Sequence, residues 1–160
     1  MATSVAESQV QKLNKYLTFA LGGEEYGLEI LKVREIIGLM EITRVPRMPV
    51  FVRGVINLRG KVIPVVDLRL KFGMERQDDT VESCIIVVDL GDILMGVVVD
   101  CVSEVLDIAD NDIEETPSFG VEIDTEFILG IGKAKGKVII LLDILKVLTA
   151  EEIVLLSDSK

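Results

Sequence analysis

Short apolar stretches of alternating pattern, bounded by glycine, proline or charged residues, recur along the 160-residue chain. Alternation with a period of two is typical of strands that bury one face. In the first half it predicts strands near 16–22, 25–30, 35–41, 53–58 and 61–66. In the second half it predicts strands near 83–90, 93–99, 102–108, 127–132 and 137–142. Five short strands are too few for a sandwich, so each half is expected to close into a small barrel, which has no exposed edges.

The two halves are copies of one sequence unit. The segment 54–68 matches 130–144 with an offset of 76, and the earlier segment 21–36 matches 90–105 with an offset of 69. The difference of seven places a seven-residue surplus of the second copy within the acidic stretch 107–129. A repeated unit of this kind indicates a duplicated architecture, here two copies of one small β unit.

Each copy contains the same turn and cap signals. The pairs Arg59-Gly60 and Lys135-Gly136 fall where hairpin tips are expected, because glycine adopts a positive φ at little cost. Asp67 and Asp143 each follow a strand and precede an apolar run, which predicts two helix N-caps. The expected organisation is therefore a flexible tail (1–15) and one domain (16–156), made of two subdomains (about 16–80 and 81–148) and a C-terminal helix (about 149–156).

Composition removes several classes of function. The chain has no histidine and a formal net charge of −10, which excludes histidine-based catalysis and disfavours nucleic-acid binding. Cys84 and Cys101 are isolated within apolar runs, which favours reduced thiols and a cytoplasmic location. No apolar segment resembles a signal peptide or is long enough to cross a bilayer.

The charges are segregated along the chain. All seven arginines lie between Arg34 and Arg76, whereas residues 77–132 contain fifteen Asp or Glu and no Lys or Arg. Two similar scaffolds with opposite charge suggest that the charges discriminate between partners. The alternative is random sequence drift of charged residues on solvated surfaces.

The remaining candidate motifs are weak, with one exception. The glycines between 130 and 136 do not have the spacing of a dinucleotide fingerprint, and the carboxylates between 107 and 115 lack the glycine of an EF-hand loop. Arg59 is the exception, because a hairpin tip would present its guanidinium for carboxylate recognition. An intramolecular salt bridge explains Arg59 equally well. Periodicity alone favours a core position for Val33 and Val102.

Several blocks of the chain resemble the family of bacterial chemotaxis coupling proteins, the CheW family. They are LTFALG (17–22), EEYGLEILKVREII (24–37), PRMP (46–49), FVRGVINLRGKVIPVVDL (51–68) and GVVVD (96–100). The resemblance covers roughly residues 16–156, and the block RGVINLRG is its most specific part.

This resemblance implies an all-β fold, mainly β with short helices, of two intertwined five-stranded Src-homology-3-like barrels. It also implies a non-enzymatic adaptor without cofactors or metal. Such an adaptor couples methyl-accepting chemoreceptors to the regulatory domain of the histidine kinase CheA. It would be cytoplasmic and recruited to receptor arrays, with no membrane insertion and no nucleic-acid partner.

The resemblance also implies two sets of site residues. A receptor helix would dock in a groove between the barrels, and this implication overrides the core interpretation of the two valines. Its expected contacts are Leu17, Ile30, Val33, Glu35, Arg59 and Val102. Kinase contact is expected around Arg44, Met48 and Gly54. The alternatives are a coupling protein of a non-chemotaxis array, and a small-molecule-binding barrel or histidine-free carboxylate enzyme.

Overall fold

The alternating stretches form strands in a computed structural model that describes residues 13–75, 77–91, 93–115 and 127–147. The first copy contributes β1 (Leu13–Leu21), β2 (Glu24–Glu29), β3 (Val33–Gly38), β4 (Val52–Leu58) and β5 (Lys61–Asp67). The second contributes β6 (Cys84–Asp89), β7 (Leu94–Val99), β8 (Cys101–Ala109), β9 (Ile113–Glu114), β10 (Ile128–Ala134) and β11 (Lys137–Leu142). Short helices follow β5 and β11, namely α1 (Leu68–Lys71) and α2 (Ile144–Val147), and single 3₁₀ turns occupy Ile30–Lys32 and Asp110–Asp112.

The two copies exchange strands between two sheets. Sheet I has the order β8-β1-β2-β11-β10-β9, and sheet II has the order β3-β6-β7-β5-β4. Each sheet therefore takes the first two strands of one copy and the later strands of the other. Each sheet joins the two copies through one parallel and one antiparallel pair. The parallel pairs are β2 with β11 and β5 with β7, and the antiparallel ones are β1 with β8 and β3 with β6. The described strand pairs within each copy are antiparallel. This pairing confirms the intertwined all-β arrangement. The boundary near residue 80 divides the two sequence copies, but it does not divide the two sheets, because each sheet contains strands of both copies.

Most predicted strand limits agree with the structure to within three residues, with two differences. β1 begins at Leu13, so residues 13–15 belong to a strand and not to the expected flexible tail. They are held there by pairing with β8, where Leu13 lies opposite Ala109 and Lys15 opposite Asp107. The two-residue strand β9 was not predicted. The expected helix at 149–156 lies outside the described residues.

Apolar side chains form three clusters. A central cluster lies between the sheets and includes Phe19 from sheet I and Val97 from sheet II. A second cluster packs on the other face of sheet II, around Ile63 and Val87. A third packs on the other face of sheet I, around Ile108. Burial of this apolar surface is the main force that holds the two sheets together.

The turns and caps repeat with the sequence. Arg59 and Lys135 both have a φ of 53°, and the glycine after each also has a positive φ (89° and 75°), as a tight two-residue hairpin requires. The carboxylate of Asp67 accepts hydrogen bonds from the backbone N–H groups of Arg69 and Leu70. The carboxylate of Asp143 accepts one from Leu145 at 3.1 Å. Both predicted N-caps are thus confirmed.

Candidate functional site

An ion pair joins Arg59 to Glu35 and connects the two ends of sheet II. Arg59 lies in the β4–β5 turn at one end of the strand order, and Glu35 lies on β3 at the other end. Lys135 and Glu104 occupy the equivalent positions of sheet I and pair at 3.0 Å. The intramolecular salt bridge, one of the two interpretations of Arg59 in the sequence, is therefore present. Because the same contact recurs in both copies, it belongs to the architecture of the repeat.

A β-bulge directs Val33 and Glu35 to opposite faces of sheet II. Val33 lies opposite Val88 on β6, and Glu35 lies opposite the adjacent Val87, with Arg34 as the extra residue. Directly paired residues point to the same face of a sheet. Val88 belongs to the central cluster and Val87 to the cluster on the other face. An equivalent bulge on β8 places Val102 opposite Phe19, which also belongs to the central cluster.

The six predicted receptor contacts therefore divide into three groups. Ile30, Val33 and Val102 are partly buried at the margin of the central cluster, between the sheets. Glu35 and Arg59 form the ion pair on the other side of β3. Leu17 is only 2% exposed and belongs to the central cluster itself, so its side chain does not lie at the surface. β1 is buried on both faces from Tyr16 to Phe19, so the sequence motif alone could not show on which side Leu17 packs.

Sequence reasoning missed one prominent residue of this region. Leu31 follows Ile30 in the 3₁₀ turn after β2 and is 92% exposed, although it is a large apolar residue. The only sequence signal was the adjacent pair Ile30-Leu31 at a strand end, which a regular strand would send to opposite faces. The surface beside Ile30 thus presents more apolar area than predicted.

The predicted kinase contacts lie around a separate pocket of about 360 Å³. Arg44 and Met48 line it, together with Arg47, Val50 and Arg53, which were not predicted. Arg53 lies on β4, and the others come from the connection between β3 and β4, a stretch that contains two prolines and little regular structure.

Gly54 differs from the other predicted kinase contacts because it is buried. It lies at a β-bulge between β4 and β5, and its φ is 142°. A Cβ atom there would meet the carbonyl oxygen of Thr43 at 2.1 Å. This close backbone approach requires a glycine at position 54, whether or not a partner contacts this part of the chain.

Most described arginines are neutralised within the chain. Arg53 donates two hydrogen bonds to Asp79, and Arg69 pairs with Asp100; both carboxylates raise the pKa of the guanidinium. Arg34 pairs with Asp89. Burial raises the pKa of the Cys84 and Cys101 thiols, so neither has the features of an activated nucleophile. Among the described residues, no cluster of carboxylates or cysteines could hold a metal ion.

Comparison with known proteins identifies the family. The chain matches the CheW-like domain over residues 15–152. It is 41% identical to the chemotaxis protein CheW of Klebsiella aerogenes over 90% of this chain and 87% of that protein. It is 35% identical to the chemotaxis protein CheW of Rhizobium meliloti over 94% and 97% of the two chains. The crystal structure of the scaffolding protein TtCheW from Thermoanaerobacter tengcongensis superposes with a TM-score of 0.80 at 38% identity, covering 88% of this chain and 96% of that one.

The structural match shows that this chain has the Src-homology-3-like fold of a scaffold protein. It confirms the predicted fold class. The chain belongs to the CheW family. Its described helices are all too short or too polar to cross a membrane.

Proposed function

We propose that this protein is a non-enzymatic adaptor that couples chemoreceptors to the histidine kinase CheA in bacterial chemotaxis. The proposal is supported by two separate surfaces on a scaffold of this family. One is the apolar margin of the central cluster, where we place a groove between the sheets; the other is the pocket at the β3–β4 connection, which three arginines and Asp67 line together with apolar residues. An adaptor needs two such surfaces, because it must hold two partners at the same time. It would act in the cytoplasm and be recruited to receptor arrays.

The groove is the proposed receptor site. Ile30, Val33 and Val102 are partly buried apolar residues, and the exposed Leu31 extends their surface. An amphipathic helix that lays its apolar face in a groove is a common mode of recognition, and the signalling tip of a chemoreceptor is helical in this family. Arg59 and Glu35 lie on the other side of β3, where the ion pair holds the β4–β5 turn beside the groove strand.

Reconstitution tests the proposal directly. Membranes that contain receptors would be mixed with the cognate kinase, with and without this chain, and assayed for kinase co-sedimentation and ligand-controlled autophosphorylation. We expect recruitment and control only when the chain is present. If the chain binds neither partner, the adaptor function is wrong.

Two variants then test the receptor site. Val33→Met enlarges a side chain at the margin of the groove, and Arg59→His removes the ion pair at a turn position. Both variants should keep the fold; for Arg59→His this is expected because histidine is among the residues that tolerate a positive φ. Both variants should uncouple kinase control from the receptor. Val138→Met, at an exposed position in sheet I, and Lys135→His, at the repeat-equivalent turn, are the matched controls. Full receptor control in both test variants would show that the site is elsewhere.

A further inference from the structure

Asp100 lies where the chain crosses from one sheet to the other, as the single residue between β7 of sheet II and β8 of sheet I. Its carboxylate accepts a hydrogen bond from Nε of Arg69 at 2.7 Å and another from Nη2 of the same guanidinium. It accepts a third from the backbone N–H of Gly22 at 3.0 Å. Asp100 therefore connects three segments: helix α1, the crossover between the sheets, and the β1–β2 turn of sheet I.

This contact is shielded from water. The side chain of Arg69 is 11% exposed and that of Asp100 is 31% exposed. A guanidinium that donates two hydrogen bonds to one carboxylate fixes its direction as well as its distance. The backbone of Asp100 is held too, because its N–H donates to the carbonyl of Ala20 at 3.1 Å. The crossover is thus fixed by both its main chain and its side chain.

The second copy has leucines at the equivalent positions. The offset of 76 places Leu145 at the position of Arg69, and the offset of 69 places Leu31 at the position of Asp100. Both leucines are exposed, at 40% and 92%. The fold therefore forms this part of the repeat without an ion pair. Unlike the pair of Arg59 with Glu35, which recurs in both copies, the pair of Arg69 with Asp100 is not part of the repeated architecture.

The difference affects the two sides of the proposed groove. Val102 follows Asp100 by two residues, and its equivalent Val33 follows Leu31 by two residues. The Val102 side is consequently anchored next to the shielded ion pair, whereas a 3₁₀ turn with an exposed leucine precedes the Val33 side. The neighbouring pair of Arg34 with Asp89 is exposed by 58% and 40%, and such pairs hold a structure only weakly.

We propose that Arg69 and Asp100 are positioning residues that fix the Val102 side of the groove for a receptor helix. This inference rests on the proposed receptor site and adds how one side of that site is held. Neither residue contacts the receptor; both act through Val102. A side chain that is already fixed loses little freedom on binding, which strengthens the contact. The Val33 side has no such ion pair and adjusts to the bound helix.

Co-sedimentation of the full chain with increasing amounts of receptor-containing membranes tests the inference. R69L/D100L replaces the ion pair by the leucines of the second copy, so no shielded charge is left unpaired. This variant should weaken receptor binding at least about fivefold. Amide hydrogen exchange of residues 101–104 should become at least about tenfold faster, while that of residues 33–36 should stay as in the original chain. Circular dichroism and thermal unfolding confirm that each variant is folded.

Two comparisons separate positioning from a general loss of stability. Ile63→Val makes a buried side chain smaller on the other face of sheet II, and it should leave receptor binding within about twofold. Val102→Ala weakens binding by itself. In that background R69L/D100L should cost less than about twofold, because the residue through which the ion pair acts is gone. D100N keeps an acceptor for Gly22 and removes the charge, so it replaces R69L/D100L in every arm if the double variant does not fold.

Three outcomes would overturn the inference. If the original chain binds the receptor membranes and R69L/D100L binds equally well, the ion pair does not position the groove and the adaptor function stands. If R69L/D100L weakens binding by the same factor in the original and the Val102→Ala backgrounds, its effect does not pass through Val102. If the original chain binds no receptor at all, the adaptor function and this inference are both wrong.

Discussion

Gly54 occupies a position that no other residue can fill without moving the backbone. Its φ of 142° lies in a region that side chains with a Cβ rarely adopt, and the carbonyl of Thr43 approaches to 2.1 Å of the place a Cβ would take. The repeat-equivalent Gly130 is similarly close to the carbonyl of Glu114, at 2.8 Å. The bulge is therefore sufficient to explain why the motif has a glycine at position 54.

Gly54→Ala should destabilise the protein by about 2–4 kcal/mol, because the methyl group forces both a strained φ and a shift of the Thr43 segment. Denaturant unfolding followed by circular dichroism measures this change. Gly38→Ala is the matched control, since a Cβ at that position meets nothing within 4 Å and its φ is not in the positive region. A Gly54→Ala protein within about 0.5 kcal/mol of the original would contradict this account of the bulge.

The two cysteines should be poorly reactive at neutral pH. Burial raises the pKa of the Cys84 thiol, and the nearby Cys101 adds to the effect. Burial also raises the pKa of the Cys101 thiol, with smaller contributions from Glu82, Glu25 and Asp100. A raised thiol pKa lowers the fraction of thiolate, which is the reactive form, at any pH below that pKa.

Alkylation by iodoacetamide at pH 8, followed by mass spectrometry, should therefore be at least about fivefold slower than for glutathione. The rate should rise about tenfold per pH unit and continue to rise above pH 9, because the folded thiols still hold their protons there. The same chain in guanidinium chloride provides the control, with both thiols fully reactive. Reaction of the folded chain at the rate of a free thiol would contradict the assigned burial.

At the scale of elements, the two hairpin ion pairs join the ends of their sheets. Glu35 with Arg59 and Glu104 with Lys135 occupy equivalent places, and Arg59 is 68% exposed in its side chain. Exposed pairs contribute little to stability, since water screens the charges and the side chains lose freedom. We therefore interpret these ion pairs, which recur in both copies, as contacts that fix the position of the turn and contribute little to the free energy of unfolding.

A double-mutant cycle on Glu35→Gln and Arg59→Gln should give a coupling energy of about 0.2–1 kcal/mol, which 1 M salt should largely remove. The same cycle on Glu104→Gln and Lys135→Gln should give a similar value. Unfolding free energies of the four proteins of each cycle provide the measurement. A coupling above about 2 kcal/mol would mean that the pair is buried and structural, contrary to its exposure.

The sequence predicted most elements but only part of the site. Alternation and turn signals located ten strands, although some of these strands, such as β6 and β7, are buried on both faces. The two-residue strand β9 is too short to leave a pattern. The burial of Leu17 and the exposure of Leu31 both depend on packing between the sheets, so spacing could not separate them. Within the part of the chain that the structure describes, Arg44 and Arg47 form no ion pair. The sequence could not show this, because pairing of the other described arginines depends on carboxylates distant in the chain, such as Asp100 for Arg69.

At the scale of the whole molecule, the exchange of strands makes the two copies interdependent. Sheet II needs β6 and β7 from the second copy, and sheet I needs β1 and β2 from the first. The parallel pairs β2–β11 and β5–β7 connect residues far apart in sequence, for example Gly27 with Leu141. The pattern of alternation contains no information about such pairs. The intertwined arrangement was accessible only through the family resemblance.

Fragments 1–80 and 81–160 should therefore be unfolded when alone, although each contains a full sequence copy. Without its partner, each lacks central strands of both sheets and leaves the central cluster exposed to water. Mixed at equal concentration, the two should assemble into a 1:1 complex with the β-sheet circular dichroism of the intact chain. The cut falls in an exposed loop, so it removes no strand. The intact chain should unfold in a single transition, since neither sheet can persist without the other copy. A fragment that showed cooperative unfolding by itself would contradict this interdependence and would mean that one copy can pair its own strands.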